Sequence, residues 1–184
     1  MKRRELERAQ VERRYVTVVR RRGWERFTGY VVGVGDDWVA LLDVPLASFE
    51  GFVFVRRRDV RRLDKGRHAK RAKGALKLDG QWPPALPHAI GLDDTRSLLC
   101  TTGALSTTLG YANERLISGL WVGSIDRIRK RVLESQDVTP SGRWGDHLVY
   151  DLDELTKVVL WDPYVDRVTA IADAHEGGVP AGEG

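Results

Sequence analysis

A mainly β protein is what this sequence predicts: two tandem small antiparallel barrels, with an N-terminal helix before them and a basic, proline-containing connector between them. Three observations lead there. Between residues 15 and 64, five short runs rich in β-branched and aromatic residues are separated by tight turns. After a basic and proline-bearing interruption, a second β-rich region begins near residue 97. Segments of that second region echo the first in the same order.

Residues 2–14 have helix-forming composition but offer only Leu6, Ala9 and Val11 as apolar contacts, so such a helix must dock to persist. "YVTVVRRR" is the first strand. "FTGYVVGV" is the second, "GDD" turns the chain, and "WVALLDV" is the third. "PLASFEG" loops to a fourth strand, "FVFVRRR", and "DVRRLD" is a short fifth. The first unit thus spans residues 1–64. Residues 65–96 form the connector: "KGRHAKRAKGALKL" places Ala69, Ala72 and Leu76 at helical spacing, and the prolines of "WPPALPHAIGLDD" forbid a regular element. The second β-rich unit covers residues 97–171, with "TPSGRWG" as a hairpin loop. Residues 172–184 lack apolar anchors and are expected to be disordered.

The echo joins "ERFTGYVVGVGDD", from Glu25, to "ERLISGLWVGSIDR", from Glu114, with one residue inserted. It also lays "FVFVRRRDVRRL" over "HLVYDLDELTKV", so that Arg56 and Arg58 fall on Asp151 and Asp153. A core position does not accept an exchange of isolated opposite charges, so these are surface or interface positions.

Net charge is +4, but it is divided unevenly. Residues 1–80 carry 21 Lys and Arg against 11 Asp and Glu, and the remaining 104 carry 9 against 15. Either a polyanion partners the first half, or the halves attract each other. No apolar run is long enough to span a membrane, and the basic N-terminus lacks the apolar stretch of a secretory signal. A lone Cys100 excludes an internal disulfide and suits a reducing cytoplasm.

The first unit resembles an Sm-like (LSm) domain over about residues 3–64. Gly29, Asp36 or Asp37, Trp38, and Leu41 or Leu42 take the places of that family's first motif, and Arg56 that of the arginine in the second. Val39 stands where the family carries its RNA-contacting asparagine, and Arg57 replaces a glycine. The second unit is a weaker match, and the whole arrangement is similar to bacterial proteins with an Sm-like front half and a second β-rich half. The resemblance implies small barrels and RNA as a ligand.

The residues themselves lead to a non-catalytic binding protein. Arg56, Arg57, Arg58, Arg61, Arg62, Arg67, Lys70, Arg71 and Lys73, with Arg20–Arg22 nearby, form a basic set suited to phosphate. Trp24, Tyr30 and Trp38 offer stacking platforms. RNA is the leading partner, held with weak sequence specificity. The alternative is a protein-interaction or assembly module, in which Arg56 and Arg58 face Asp151 and Asp153 of a second copy or another protein.

No cofactor or metal is expected. Gly33 and Gly35 lack the helix and third glycine of a dinucleotide site. His68, His88, His147, His175 and Cys100 are scattered, and Asp151 with Asp153 supplies too few oxygens for calcium. Ser106, Thr107 and Thr108 have no nucleophile elbow around them.

Overall fold

A computed structural model describes residues 3–21, 26–45, 48–87, 90–114 and 119–177 of the chain. Within them lie four α-helices and ten strands, all paired antiparallel, so the chain is mainly β. The first helix, α1 (Arg3–Val11), buries only Leu6 and Ala9 and is laced by Arg3–Glu7 and Arg8–Glu12 ion pairs. The strands β1 (Tyr15–Arg20), β2 (Phe27–Val34), β3 (Trp38–Asp43), β4 (Phe52–Arg56) and β5 (Val60–Lys65) follow the five runs read from the sequence. A 3-10 turn, Arg57–Asp59, separates the last two. The basic connector helix is α2 (Ala69–Leu78), with Ala72 and Leu76 buried.

The second unit departs from expectation at its start. Residues 97–103, read as the start of the β-rich unit, belong instead to α3 (Thr95–Gly103). The Asp94 side chain accepts a hydrogen bond from Ser97 N at 2.8 Å, capping the helix, and Leu98, Leu99 and Thr102 fall on one buried face. The strands β6 (Thr108–Ala112), β7 (Trp121–Ile128), β8 (Val132–Val138), β9 (Trp144–Asp151) and β10 (Lys157–Leu160) come next. The chain then enters α4 (Pro163–Glu176), capped by Asp162 with Pro163 in its first turn. Residues 172–176, expected to be disordered, belong to this helix, and Ala172 is fully buried. The rest of the expected tail, 178–184, lies outside the described residues.

Two closed barrels do not form. The strands make one open sheet in the order β5-β1-β2-β3-β4-β10-β6-β7-β8-β9. The reason is local: the turn after β4 carries β5 across to β1, leaving the outer edge of β4 to be completed by β10.

The sheet is nevertheless a duplication. Each half is a helix followed by five strands, and its spatial order is fifth, first, second, third, fourth. The registers repeat as well. Val16↔Gly29 recurs as Leu109↔Gly123, and Gly29↔Asp43 as Gly123↔Asp137. Val39↔Val55 recurs as Leu133↔Tyr150, and Val18↔Leu63 as Tyr111↔Val158. Even the irregularity between Val31 and Gly33 returns between Ile125 and Arg127. Arg56 corresponds to Asp151, as the sequence comparison placed it, because Trp38↔Arg56 matches Val132↔Asp151. The glycines differ from that comparison: Gly29 corresponds to Gly123 and not to Gly119.

Hydrophobic cores lie on both sides of the sheet. One gathers α1 and α4 over Val16, Val53 and Val159; the other gathers α2 and α3 around Phe54, Tyr111 and Val158. Among the described residues, no helix is long and apolar enough to cross a membrane.

Gly29 faces the sheet so closely that a Cβ would overlap Leu42 O, whereas a Cβ on Gly74, within α2, meets nothing. Gly29→Ala is expected to destabilise the protein by about 3 kcal/mol, at the upper end of overpacking. Gly74→Ala should stabilise it by up to about 1 kcal/mol. Urea midpoints of the two variants check both signs.

Candidate nucleic-acid interface

Arg56, the centre of the basic set read from the sequence, lies inside the protein. Its side chain is 2% exposed and its guanidinium stacks 4.5 Å from the centre of the Trp38 ring. Nε donates to Leu155 O at 2.8 Å, Nη2 to Leu152 O at 2.6 Å, and Nη1 to Asp37 Oδ2 at 3.1 Å. Burial, and then the Arg58 charge, lower its pKa, while Asp37 acts the other way. Arg56 thus fastens β4 and the β2–β3 turn to the segment before β10, and it is no phosphate hook. Arg20 is withdrawn similarly: it holds Glu114 through two 2.6 Å hydrogen bonds, with its side chain 1% exposed.

The other members of the set separate into groups. Arg57 donates to Asp36 O at 2.7 Å, and Arg58, exposed, donates to Asp153 O at 3.2 Å. Arg62 is exposed but chelated by Asp64 at 2.7 and 3.1 Å. Arg61, Arg67, Lys70, Arg71 and Lys73 are exposed. Among the described residues, no carboxylate stands within ion-pair distance of these five. Asp151 is half-buried and accepts from Asp153 N, while exposed Asp153 pairs with Arg131 at 3.3 Å. The basic and acidic segments therefore meet within one chain, but through backbone carbonyls rather than carboxylates.

Helical geometry arranges the remaining cations. With Ala72 and Leu76 facing inward, Lys70, Lys73 and Lys77 share the outward stripe of α2, and Arg71 lies on its other flank. Beside that stripe is a hollow of about 350 Å³ lined by Glu12, Arg13, Tyr15, Tyr30, Lys70, Lys73 and Trp82. Lys73 Nζ sits 4.7 Å from the centre of the Trp82 ring, and Trp82 meets Tyr30 edge-on at 5.6 Å.

Of the three expected stacking platforms, Trp38 is wholly buried, Tyr30 is 2% exposed and Trp24 lies outside the described residues. Trp82, half-exposed, was missed because it stands in the proline-rich connector. Its position directly after a basic helix was the signal for it.

The second repeat holds a different polar cluster. Asp137, 5% exposed, accepts hydrogen bonds from Tyr111 Oη, Ser135 Oγ and Tyr150 Oη. A groove of about 700 Å³ nearby is lined by Trp121, Leu148, Tyr164, Val168 and Ile171 among others. Ser106 Oγ donates to Thr108 O, His147 meets Asp126 at 2.6 Å, and His175 meets Gly142 O at 2.8 Å. His88 lies outside the described residues. Among the described residues, no group of three or more metal-ligating side chains converges. No protein-family model, curated protein sequence or solved structure matches this chain.

Replacing Arg56 by Met should cost about 3–5 kcal/mol, because it strands buried acceptors. Arg56→Lys should recover little of that loss, since one ammonium does not reach three partners arranged as a fork. Chemical denaturation measures both.

Burial raises the pKa of Tyr111 and Tyr150, with Asp137 adding to it, and burial likewise raises Tyr15 and Tyr30. Above pH about 10 the unfolded chain loses phenolic protons that the folded protein retains, so stability should fall as pH rises past that value. Phenolate absorbance should show Tyr111 and Tyr150 ionising only with unfolding.

Proposed function

We propose that the chain is a non-catalytic binder of single-stranded RNA, built from two tandem Sm-like folds and gripping the phosphate backbone with α2 and the adjoining hollow. The observation that carries this reading is the stretch from Lys65 to Lys77, which holds six Lys and Arg and no acid. Cations in the first turn of a helix oppose its dipole, by about 0.3–1 kcal/mol each. Lys70 and Arg71 stand there, the His68 cap makes no side-chain hydrogen bond, and no acid lies in that turn. A phosphate at this place would relieve both penalties together.

Trp82 supplies a ring on which a base could stack beside Lys73. Val39, where the resembled family has its base-reading asparagine, is wholly buried in β3. Binding would then follow charge and stacking, with little sequence preference.

Random single-stranded RNA should bind with an affinity that falls steeply between low and physiological salt, the logarithmic slope being about −0.7 per phosphate neutralised. Lys70→Glu with Lys73→Glu should weaken binding at least tenfold and flatten that slope. Trp82→Ala should cost about 1–3 kcal/mol with the slope largely unchanged. Fluorescence anisotropy at two salt concentrations reads all three; unaltered affinity in the double lysine variant would overturn the proposal.

A further inference from the structure

The second repeat is open where the first is closed. Phe27 and Val53 are 8% and 2% exposed, whereas their register counterparts are a half-buried Trp121 and a 45%-exposed Leu148. Both counterparts line the groove of about 700 Å³ beside α4, and Tyr164 and Ile171, 59% and 45% exposed, line it from the helix. That volume lies within the roughly 300–1,000 Å³ typical of small-molecule sites. We propose that the groove binds a small organic cation, an amine carried on an apolar ring or chain, with Asp137 as its counter-ion.

Charge selects the ligand. Among the described residues the lining includes two acids, Asp137 and Asp146, and no Lys, Arg or His. Asp137 is buried, yet among the described residues no cation stands within ion-pair distance of it. Three hydroxyls hold it instead: Oδ1 accepts from Tyr111 and, at 2.6 Å, from Ser135, and Oδ2 accepts from Tyr150. A carboxylate has about four acceptor sites, so Oδ2 keeps one for a ligand. A buried carboxylate without a counter-charge is costly, and an ammonium in the groove offsets that cost through a charge-assisted hydrogen bond.

The frame is built in advance. The helix α4 and the β8–β9 hairpin, which form two walls of the groove, are joined at two points. Trp144 Nε1 donates to Asp173 Oδ1 at 2.9 Å, and His175 meets Gly142 O at 2.8 Å. Binding therefore requires little ordering of these walls. The rings of Trp121 and Tyr164 add apolar area and a face that attracts an ammonium. An anionic ligand would meet Asp137 and Asp146 with like charge, and a neutral one would leave Asp137 without a counter-charge.

This inference does not rest on RNA binding, and its test uses RNA-free full-length protein. Calorimetric titration with 4-phenylbutylamine, a cation at neutral pH, should show saturable binding at one site per chain. The alcohol 4-phenylbutanol and the anion 4-phenylbutyrate keep the apolar body without the positive charge and should bind at least tenfold more weakly. Asp137→Asn should erase the preference for the amine over the alcohol. Because Asp137 is a buried hub whose replacement can unfold the chain, two exposed positions give a second check. Ile171→Lys sets a like charge beside the amine and should weaken it at least tenfold, and Asp146→Asn should weaken it about threefold. Circular dichroism verifies that each variant is folded. Absence of saturable amine binding to the wild-type protein overturns the proposal. So does equal affinity for amine and alcohol, or unaltered amine affinity in Ile171→Lys.

Discussion

The pairing of β4 with β10 is the contact on which the rest of the structure depends. It turns two five-stranded halves into one sheet and buries Val53, Phe54, Val158 and Val159 on its two faces. It also creates a problem, because the turn before β10 brings carbonyl groups into a place that water does not reach. Arg56 solves it. A planar guanidinium saturates Leu152 O and Leu155 O at once, keeps one donor for Asp37, and lays its face on Trp38. Arg20 with Glu114 forms a second buried clamp between the halves. Charges so well partnered are stable in place, but removing either member of such a pair leaves an uncompensated buried group.

These clamps change the meaning of the charge asymmetry. Part of the basic excess of the first half is answered within the chain, at Arg20, Arg56 and Arg58. Among the cations that remain exposed, one group lies on the outward stripe of α2 and another along β5, with Arg4, Arg8, Arg13 and Arg14 exposed on and after α1. These surfaces have different geometry. A helix stripe beside an aromatic hollow offers scattered cations to a flexible polyanion, whereas a strand edge offers backbone hydrogen-bonding groups in register.

The two repeats fill equivalent space with different chemistry. Val18, Leu41 and Val55 of the first are buried and apolar, and Tyr111, Ser135 and Tyr150 replace them in the second. These three hydroxyls converge on Asp137, the counterpart of Asp43. Substituting one alone would leave a buried polar group unsatisfied; together they form a connected network. On the opposite face, Tyr30, Phe52 and Phe54 give way to Ser124, His147 and Val149, so the second repeat is wet where the first is covered by α2 and the connector. That difference is why the β9 edge remains exposed.

The sequence alone determined the strands of the first half, the helix of the connector and the duplication, including the alignment of Arg56 with Asp151. These follow from patterns a few residues long: β-branched runs, turn residues, helical spacing and their recurrence. It did not foresee α3, because "SLLCTT" was read as the opening of the β-rich unit, whereas the Asp94 cap and the burial of Leu98 and Leu99 make it helical. Only the tertiary structure decided that the halves share one open sheet, that Arg56 and Arg20 lie within it, and that Trp82 flanks the basic stripe. The physical reason is common to all three. Whether an arginine meets water, a carboxylate or a pair of carbonyls depends on a strand about 100 residues away, and no local pattern encodes which edge that strand will complete.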